Sequence, residues 1–317
     1  MVKIGAKIDE VRIDGDLSRL RRDLEHFTQI GLDAVELPVH GLDAIINGRL
    51  DAAQVAKIKR ILRDFDFHYS VHAPNPLNLM NQDFLPMHLA VFRASLQFAR
   101  EINAPNLVYH PGRYVAEETF FINAPRELSP ADQQHLLDLE RSILDKLAAE
   151  YPTVTICLEN ARPYIFHSPY CYAEKIDLLK RQVEEVHREN VKITLDLGHL
   201  FMAARYYDFD PVAATAAIKD LIAHCHIHDN FGSAVYHHEK QQTHQLPFGR
   251  GDSHMPVGWG EIPIPAILAE FMPTYQGTLL MELRSRYFQD TDASQKNLKE
   301  ILILLKQPNQ QTGPDQE

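Results

Sequence analysis

The chain is poor in cysteine and tryptophan, with three of the first and one of the second among 317 residues. Cys157, Cys171 and Cys225 are odd in number and form no CxxC pair, so they offer no disulfide framework. Cys157 and Cys225 fall inside apolar, strand-like runs, where a free thiol behaves as a small hydrophobe. Reduced, buried thiols of this kind suit a reducing cytosol. No apolar stretch approaches the roughly 18 residues that a membrane span needs. The first residues, MVKIGAKIDE, enter strand-like sequence without a secretory h-region. A cytoplasmic protein without membrane contact is therefore expected. The chain also lacks any Lys/Arg-rich run, and its formal net charge is −11, so no large nucleic-acid footprint is advertised. No GxGxxG turn follows the first strand-like run, which argues against a doubly wound, dinucleotide-binding sheet.

What the chain does have is a steady alternation. Runs rich in β-formers occur at Val2–Ala6, Ala34–Leu37, His68–His72, Asn106–His110, Thr153–Glu159, Val191–Asp196, Ile222–His228 and Gly277–Glu282. Between them lie segments with apolar residues at three- and four-residue spacing, such as Leu17, Leu20, Leu24 and Phe27, or Val55, Ile58, Ile61 and Leu62. Further helices are expected over Pro130–Glu150, Cys171–Asn190, Pro211–Lys219, Ile264–Phe271 and Asp292–Lys306. Ser129-Pro130 and Asp210-Pro211 place a capping residue before a proline, and Gly31 follows the first helix as a C′ residue. Eight β-α repeats with short connections imply closure into a single-domain (β/α)8 TIM barrel over residues 1–306, followed by a disordered polar tail at 307–317. Two connections are long, Gly112–Ser129 after the fourth strand and Asp229–Glu261 after the seventh. Both leave carboxyl ends of strands, where barrel active sites sit.

Those same ends carry nine acidic and imidazole residues: His72, His110, Glu159, Asp196, His199, His226, Asp252, His254 and Glu282. A carboxylate or imidazole at the end of a buried strand costs several kcal/mol unless something pairs with it. A shared divalent cation is the most economical partner, and this mixed donor set suits Zn, Mn or Fe, with room for one to three ions. Asp196 and His199 flank Leu197-Gly198, where the glycine is read as a turn that aims both side chains inward. Strand alternation places His226 and His228 on one face. Glu36, His228, Arg162, Arg284 and Trp259 are candidate substrate contacts or supports, with Arg113, Arg250 and Arg286 as further rim cations. His26, His88, His135 and His187 are expected to face solvent; His40, His68, His167 and His224 lack a strand-end position or a partnered motif. His237, His238 and His244 are assigned to a mobile part of the seventh loop.

The ordered set LEN, LDLGH, HIHDN, GDSHMPVGWGEI and MEL resembles the xylose isomerase-like TIM-barrel superfamily, which includes endonuclease IV and the sugar phosphate isomerases and epimerases. The resemblance covers residues 1–306. In the epimerase branch it implies one divalent metal held by Glu159, Asp196, His226 and Glu282, with the two glutamates as acid and base on opposite faces of the substrate carbon. In the endonuclease branch it implies a trinuclear zinc cluster using all nine residues. The run after His72, APNPLNLMNQDF, has no Arg or Lys, and the GRYVAEETFF insertion is acidic, both poor features for a DNA backbone. The expected protein is thus a metal-dependent isomerase or epimerase of a sugar, sugar phosphate or related polyol, with Glu159, Glu282 and His199 as its catalytic residues. A phosphoester hydrolase acting on nucleic acid ranks second, and a non-catalytic metal-binding barrel third.

Overall fold

Eight short parallel strands close on themselves. In the computed structural model, which describes residues 2–120, 128–239 and 243–307, they are β1 (Lys3–Lys7), β2 (Ala34–Pro38), β3 (His68–His72), β4 (Asn106–Tyr109), β5 (Thr155–Glu159), β6 (Val191–Asp196), β7 (Ile222–Ile227) and β8 (Thr278–Met281). Each strand pairs with its sequence neighbours, and β1 pairs with β8 to complete the barrel. Strands buried on both faces read as near-continuous apolar runs. All five residues of β2 are buried, for example, and so are five of the six in β6.

The outer helices are α1 (Leu17–Gln29), α2 (Ala52–Leu62), α3 (Leu85–Glu101), α4 (Pro130–Glu150), α5 (Ile176–Val186), α6 (Leu197–Tyr207), α7 (Pro211–Ala216), α8 (Ile264–Phe271) and α9 (Thr291–Lys306). Their starts are fixed by side-chain caps. Asp16, Asp51, Ser129 and Asp210 each accept a backbone N–H of the first turn, satisfying donors that have no partner inside the helix. Gly31, at φ 72°, ends α1 in the left-handed region as expected.

Three expectations need correction. The sequence pattern gave no helix between Asp196 and Asp210, yet α6 begins directly after β6 with no intervening turn. Asp196 is both the last strand residue and the cap of α6, its Oδ1 accepting from His199 N at 2.6 Å. Gly198 is consequently helical rather than a turn glycine. Its lack of a side chain serves packing instead, because a Cβ there would meet the His228 ring at Cε1. The Cys171–Asn190 helix is a short 3-10 turn at Tyr172–Glu174 followed by α5, and Pro211–Lys219 contracts to α7. Finally, β4, β7 and β8 stop one residue early, so that His110, His228 and Glu282 stand just past the strand ends.

The two long connections are partly pinned down. Val235–Tyr236, after β7, pairs in parallel with Tyr164–Ile165, after β5. His237 is buried here and meets Glu117 of the other long connection, Nε2 to Oε2 at 3.0 Å, so it is anchored where mobility was expected. His26 and His88 are half-buried rather than solvent-facing: His26 packs on Phe288, and His88 Nδ1 accepts from Asn78 N. The polar tail, apart from Gln307, lies outside the described residues. Among the described residues no helix is long and apolar enough to cross a membrane.

Candidate metal centre

The barrel's carboxyl end gathers all nine strand-end residues into overlapping groups. Glu159, Asp196, His226 and Glu282 place one donor atom each within 4.8 Å of one another. His72, His110 and Glu159 form a second such group, and His199, Asp252 and His254 a third. Glu159 joins the first two, and a further group of His228, His254 and Glu282 joins the first to the third.

Backbone contacts hold three of the five rings in one orientation. His72 Nδ1 donates to the Ala73 carbonyl at 2.7 Å, and His254 Nδ1 to the Glu282 carbonyl at 2.7 Å. His199 Nδ1 donates to the Asn160 carbonyl at 2.9 Å. A carbonyl can only accept, so each contact fixes which nitrogen bears hydrogen and turns the other into the centre. Asn160 does more. It exchanges two hydrogen bonds with the Asp196 backbone, locking β5 to β6 where their carboxylates converge. Asp229 ties down the segment carrying Asp252 and His254, accepting from Gly258 N and Ile262 N while its backbone pairs with Met255.

His226 stands at the middle. Its Nδ1 faces Glu159 Oε1 at 3.3 Å, Glu282 Oε2 at 3.2 Å and Asp196 Oδ2 at 3.9 Å. Its Nε2 points outward to Glu36 Oε1 at 3.0 Å, and Glu36 Oε2 receives His224 Nε2 and the Ser70 hydroxyl, each at 3.0 Å. Glu36 is fully buried and does not line the cavity above the centre. The Nε2–Oε1 approach is an ion-pair contact rather than a well-directed hydrogen bond, and it puts Glu36 where a second-layer carboxylate would orient a ligand imidazole and raise its basicity. Glu36→Gln is expected to weaken divalent-metal affinity about 10- to 100-fold. Competition against a chelating dye checks this, and an unchanged affinity would show that Glu36 only fills space.

Electrostatics follow from four buried carboxylates placed together. Burial alone would push the Glu159 carboxyl upward; the His110 and His226 imidazoles overcome it and hold it well below the usual range. Glu282 is held down in the same way against burial, by Lys7, His226 and His254. His110 is pushed down to about 4 by burial, against the pull of Glu159, and so stands ready as a neutral donor. Against burial, Asp196 and Asp252 draw His199 up to about 9. Arg162 Nη1, however, lies 2.8 Å from His199 Nε2 and can only donate, so that contact admits the neutral ring.

The donor set fits divalent metal. His72 Nε2, Glu159 Oε2 and Asp252 Oδ1 are buried and lack any well-directed hydrogen bond, although Glu159 Oε2 has His110 Nε2 at 3.1 Å and His72 Nε2 at 3.5 Å. Buried nitrogen and oxygen lone pairs that converge without bonding each other are costly unless a cation lies between them.

Above the centre opens a cavity of about 660 Å³ lined by Lys7, His110, Glu159, His199, Asp252 and Glu282, among others. Arg162 and Arg284 line it as well. His228 lies behind the centre, fully buried, with Nε2 3.1 Å from Asp196 Oδ2. Trp259 is half-exposed against Tyr287 and outside the cavity lining. Two residues here escaped the sequence reading. Lys7, at the end of β1, puts Nζ 2.6 Å from Glu282 Oε1 and 3.5 Å from Glu10 Oε2. His224 shares a strand face with His226, and the alternation His224-Cys225-His226-Ile227-His228 carried that signal.

The model of the xylose isomerase-like TIM barrel family matches residues 24–307. The chain belongs to that family. An uncharacterized protein of Methanocaldococcus jannaschii is 27% identical over 277 residues, covering 84% of this chain and 88% of its own. Among solved structures, a D-tagatose 3-epimerase-like protein superposes with a TM-score of 0.70 at 21% identity, covering 96% of this chain and 98% of its own. L-ribulose 3-epimerase gives 0.66 at 14% identity, with 96% and 95% coverage. At these identities the two likenesses establish a common fold.

Proposed function

We propose that this family member is a divalent-metal-dependent isomerase or epimerase acting on a sugar, sugar phosphate or related polyol. The observation that carries the reading is the placement of two glutamates about one imidazole, with Glu159 Oε1 and Glu282 Oε2 3.3 and 3.2 Å from His226 Nδ1. Its fold likeness to a D-tagatose 3-epimerase-like protein and to L-ribulose 3-epimerase supports it. Glu159, Asp196, His226 and Glu282 would hold the working ion, which when bound supplies Lewis acidity to a hydroxy-carbonyl unit and makes its carbon acid easier to deprotonate. Glu159 would take the proton from one side of that carbon and release it to solvent, while Glu282, ionised at rest beside Lys7, would take up a solvent proton and deliver it to the other side, through an enediolate. Lys7 engages Glu282 Oε1, so that Oε2 is the oxygen left to face the centre. His199, on the cavity wall with Nε2 beside Arg162 and Asp252, would act with the Asp252 and His254 donors rather than on the carbon itself.

A second reading, phosphoester hydrolysis, is favoured by the completeness of the three donor groups, since two- and three-metal sites stabilise both attacking and leaving oxygens. Against it stands the wall that would face a nucleic-acid backbone. Glu117 and Glu118 line the cavity there, while buried Arg113 is occupied with the Asn75 and Leu77 carbonyls. The test sets metal-loaded protein against a panel of ketoses and ketose phosphates, with bis-p-nitrophenyl phosphate in parallel. Epimerised or isomerised product is expected. Brisk phosphodiester cleavage with no change in any sugar would overturn the proposal in favour of the second reading.

A further inference from the structure

We infer that the ligand of this cavity carries an oxyanion, phosphate or carboxylate, and that Arg284 and Arg286 receive it. This rests on the proposed sugar chemistry only for the neutral remainder of the molecule. Immediately after Glu282 the chain runs Leu283-Arg284-Ser285-Arg286, and all four residues line the cavity. The loop after the eighth strand is where TIM barrels frequently bind phosphate.

Five cations line the cavity: Lys7, Arg113, Arg162, Arg284 and Arg286. Four of them are held in place by contacts within the protein. Lys7 bonds Glu282 at 2.6 Å, Arg162 pairs with Asp252 at 3.2 Å, and Arg113 donates to the Asn75 and Leu77 carbonyls at 3.1 Å. Arg284 Nη2 donates to the Asp252 carbonyl at 2.7 Å, which fixes its guanidinium beside the third donor group. Arg286 lies over the Tyr287 ring at 5.2 Å, is exposed, and has no carboxylate partner among the described residues. A small depression sharing Asp252, Arg284 and Arg286 with this cavity is lined also by Arg250 and Glu239, which pair with each other at 3.4 Å, so Arg284 and Arg286 are the guanidinium groups common to both hollows.

Three acidic residues of the lining are already engaged, one of them, Glu117, with His237 at 3.0 Å. Asp9 accepts from Arg12 N and Ser285 N, and Glu10 pairs with Lys7. The lining also gives little support for a wholly neutral sugar. Tyr170 is its one Tyr, Phe or Trp side chain, and that hydroxyl donates to the Arg162 carbonyl. Affinity has to come from charge and hydrogen bonds, for which a planar guanidinium pair is well shaped.

The experiment is titration calorimetry on the metal-loaded protein, comparing D-ribulose, D-ribulose 5-phosphate, D-glucuronate and inorganic phosphate, with wild type and Arg286→Gln. At least one anionic sugar is expected to bind roughly 10- to 100-fold tighter than the neutral one, and Arg286→Gln to erase most of that ratio. The phosphate and carboxylate arms identify which oxyanion is used. Arg284→Gln repeats the test at a side chain whose loss is checked for folding by melting temperature. Equal affinities, or an anionic preference untouched by Arg286→Gln, would overturn the inference, as would binding of no anionic member at all. Anionic binding through Arg286 without sugar turnover leaves this subsite standing while the isomerase reading falls. Turnover of neutral sugars with no anionic preference does the reverse.

Discussion

Glu159→Gln is expected to reduce turnover by at least about 10³-fold, within the range that loss of a positioned acid or base produces. The same substitution should lower metal content by more than a single missing ligand would suggest. Glu159 is the one residue shared between the four-residue group and the His72–His110 group. Its Oε1 faces His226 and its Oε2 faces His110 and His72, so an amide in its place presents an N–H₂ to at least one of them. The substitution is nearly isosteric, so the melting temperature of the metal-free protein should change little. Plasma mass spectrometry on the variant purified without chelator, beside steady-state rates, separates the two effects. Full metal content with normal turnover would remove Glu159 from both roles.

Removing the metal is expected to abolish turnover and to lower the melting temperature by about 6 °C. The carboxylates of Glu159, Asp196, Asp252 and Glu282 are all buried, and their fixed cationic neighbours are Lys7 and Arg162. Imidazoles provide the rest of the compensation, and doing so costs protons that a metal would displace. A ligand present at about a thousand times its dissociation constant stabilises the folded state by about 4 kcal/mol, and at an unfolding entropy of about 2.1 cal/mol/K per residue that amounts to about 6 °C for a chain of 317 residues. Differential scanning calorimetry of chelated and reloaded protein measures the shift. A melting temperature indifferent to chelation would mean that the nine residues are a hydrogen-bonded network rather than a metal centre.

The barrel was legible because its period was. Buried parallel strands and amphipathic helices alternate eight times, and caps such as Ser129-Pro130 mark where helices begin. The helix α6 escaped because nothing interrupts the chain between strand and helix. Asp196 ends β6 and caps α6 in one residue, so the punctuation that normally separates elements is absent. The strand-end acids and imidazoles could be read individually, but not how they partition. That Glu159 serves two groups is a property of side-chain reach across β3, β4, β5 and β7, which no local pattern encodes. Lys7 was missed for a related reason. Its role is defined by Glu282, which lies 275 positions away in sequence but just past the end of the adjacent strand once β1 meets β8. Glu36 was legible as a strand residue of uncertain purpose, and its contact with His226 on the far side of the barrel supplies the purpose.

The most direct test of the proposed chemistry is solvent-hydrogen exchange. Metal-loaded protein is incubated in D₂O with the sugar it turns over, and deuterium at the carbon beside the carbonyl is followed by NMR. Proton transfer through Glu159 and Glu282 predicts deuterium in the product at that carbon, absent after chelation and lost in Glu282→Gln. Product formed without any solvent deuterium, or exchange that persists unchanged in Glu282→Gln, would contradict it.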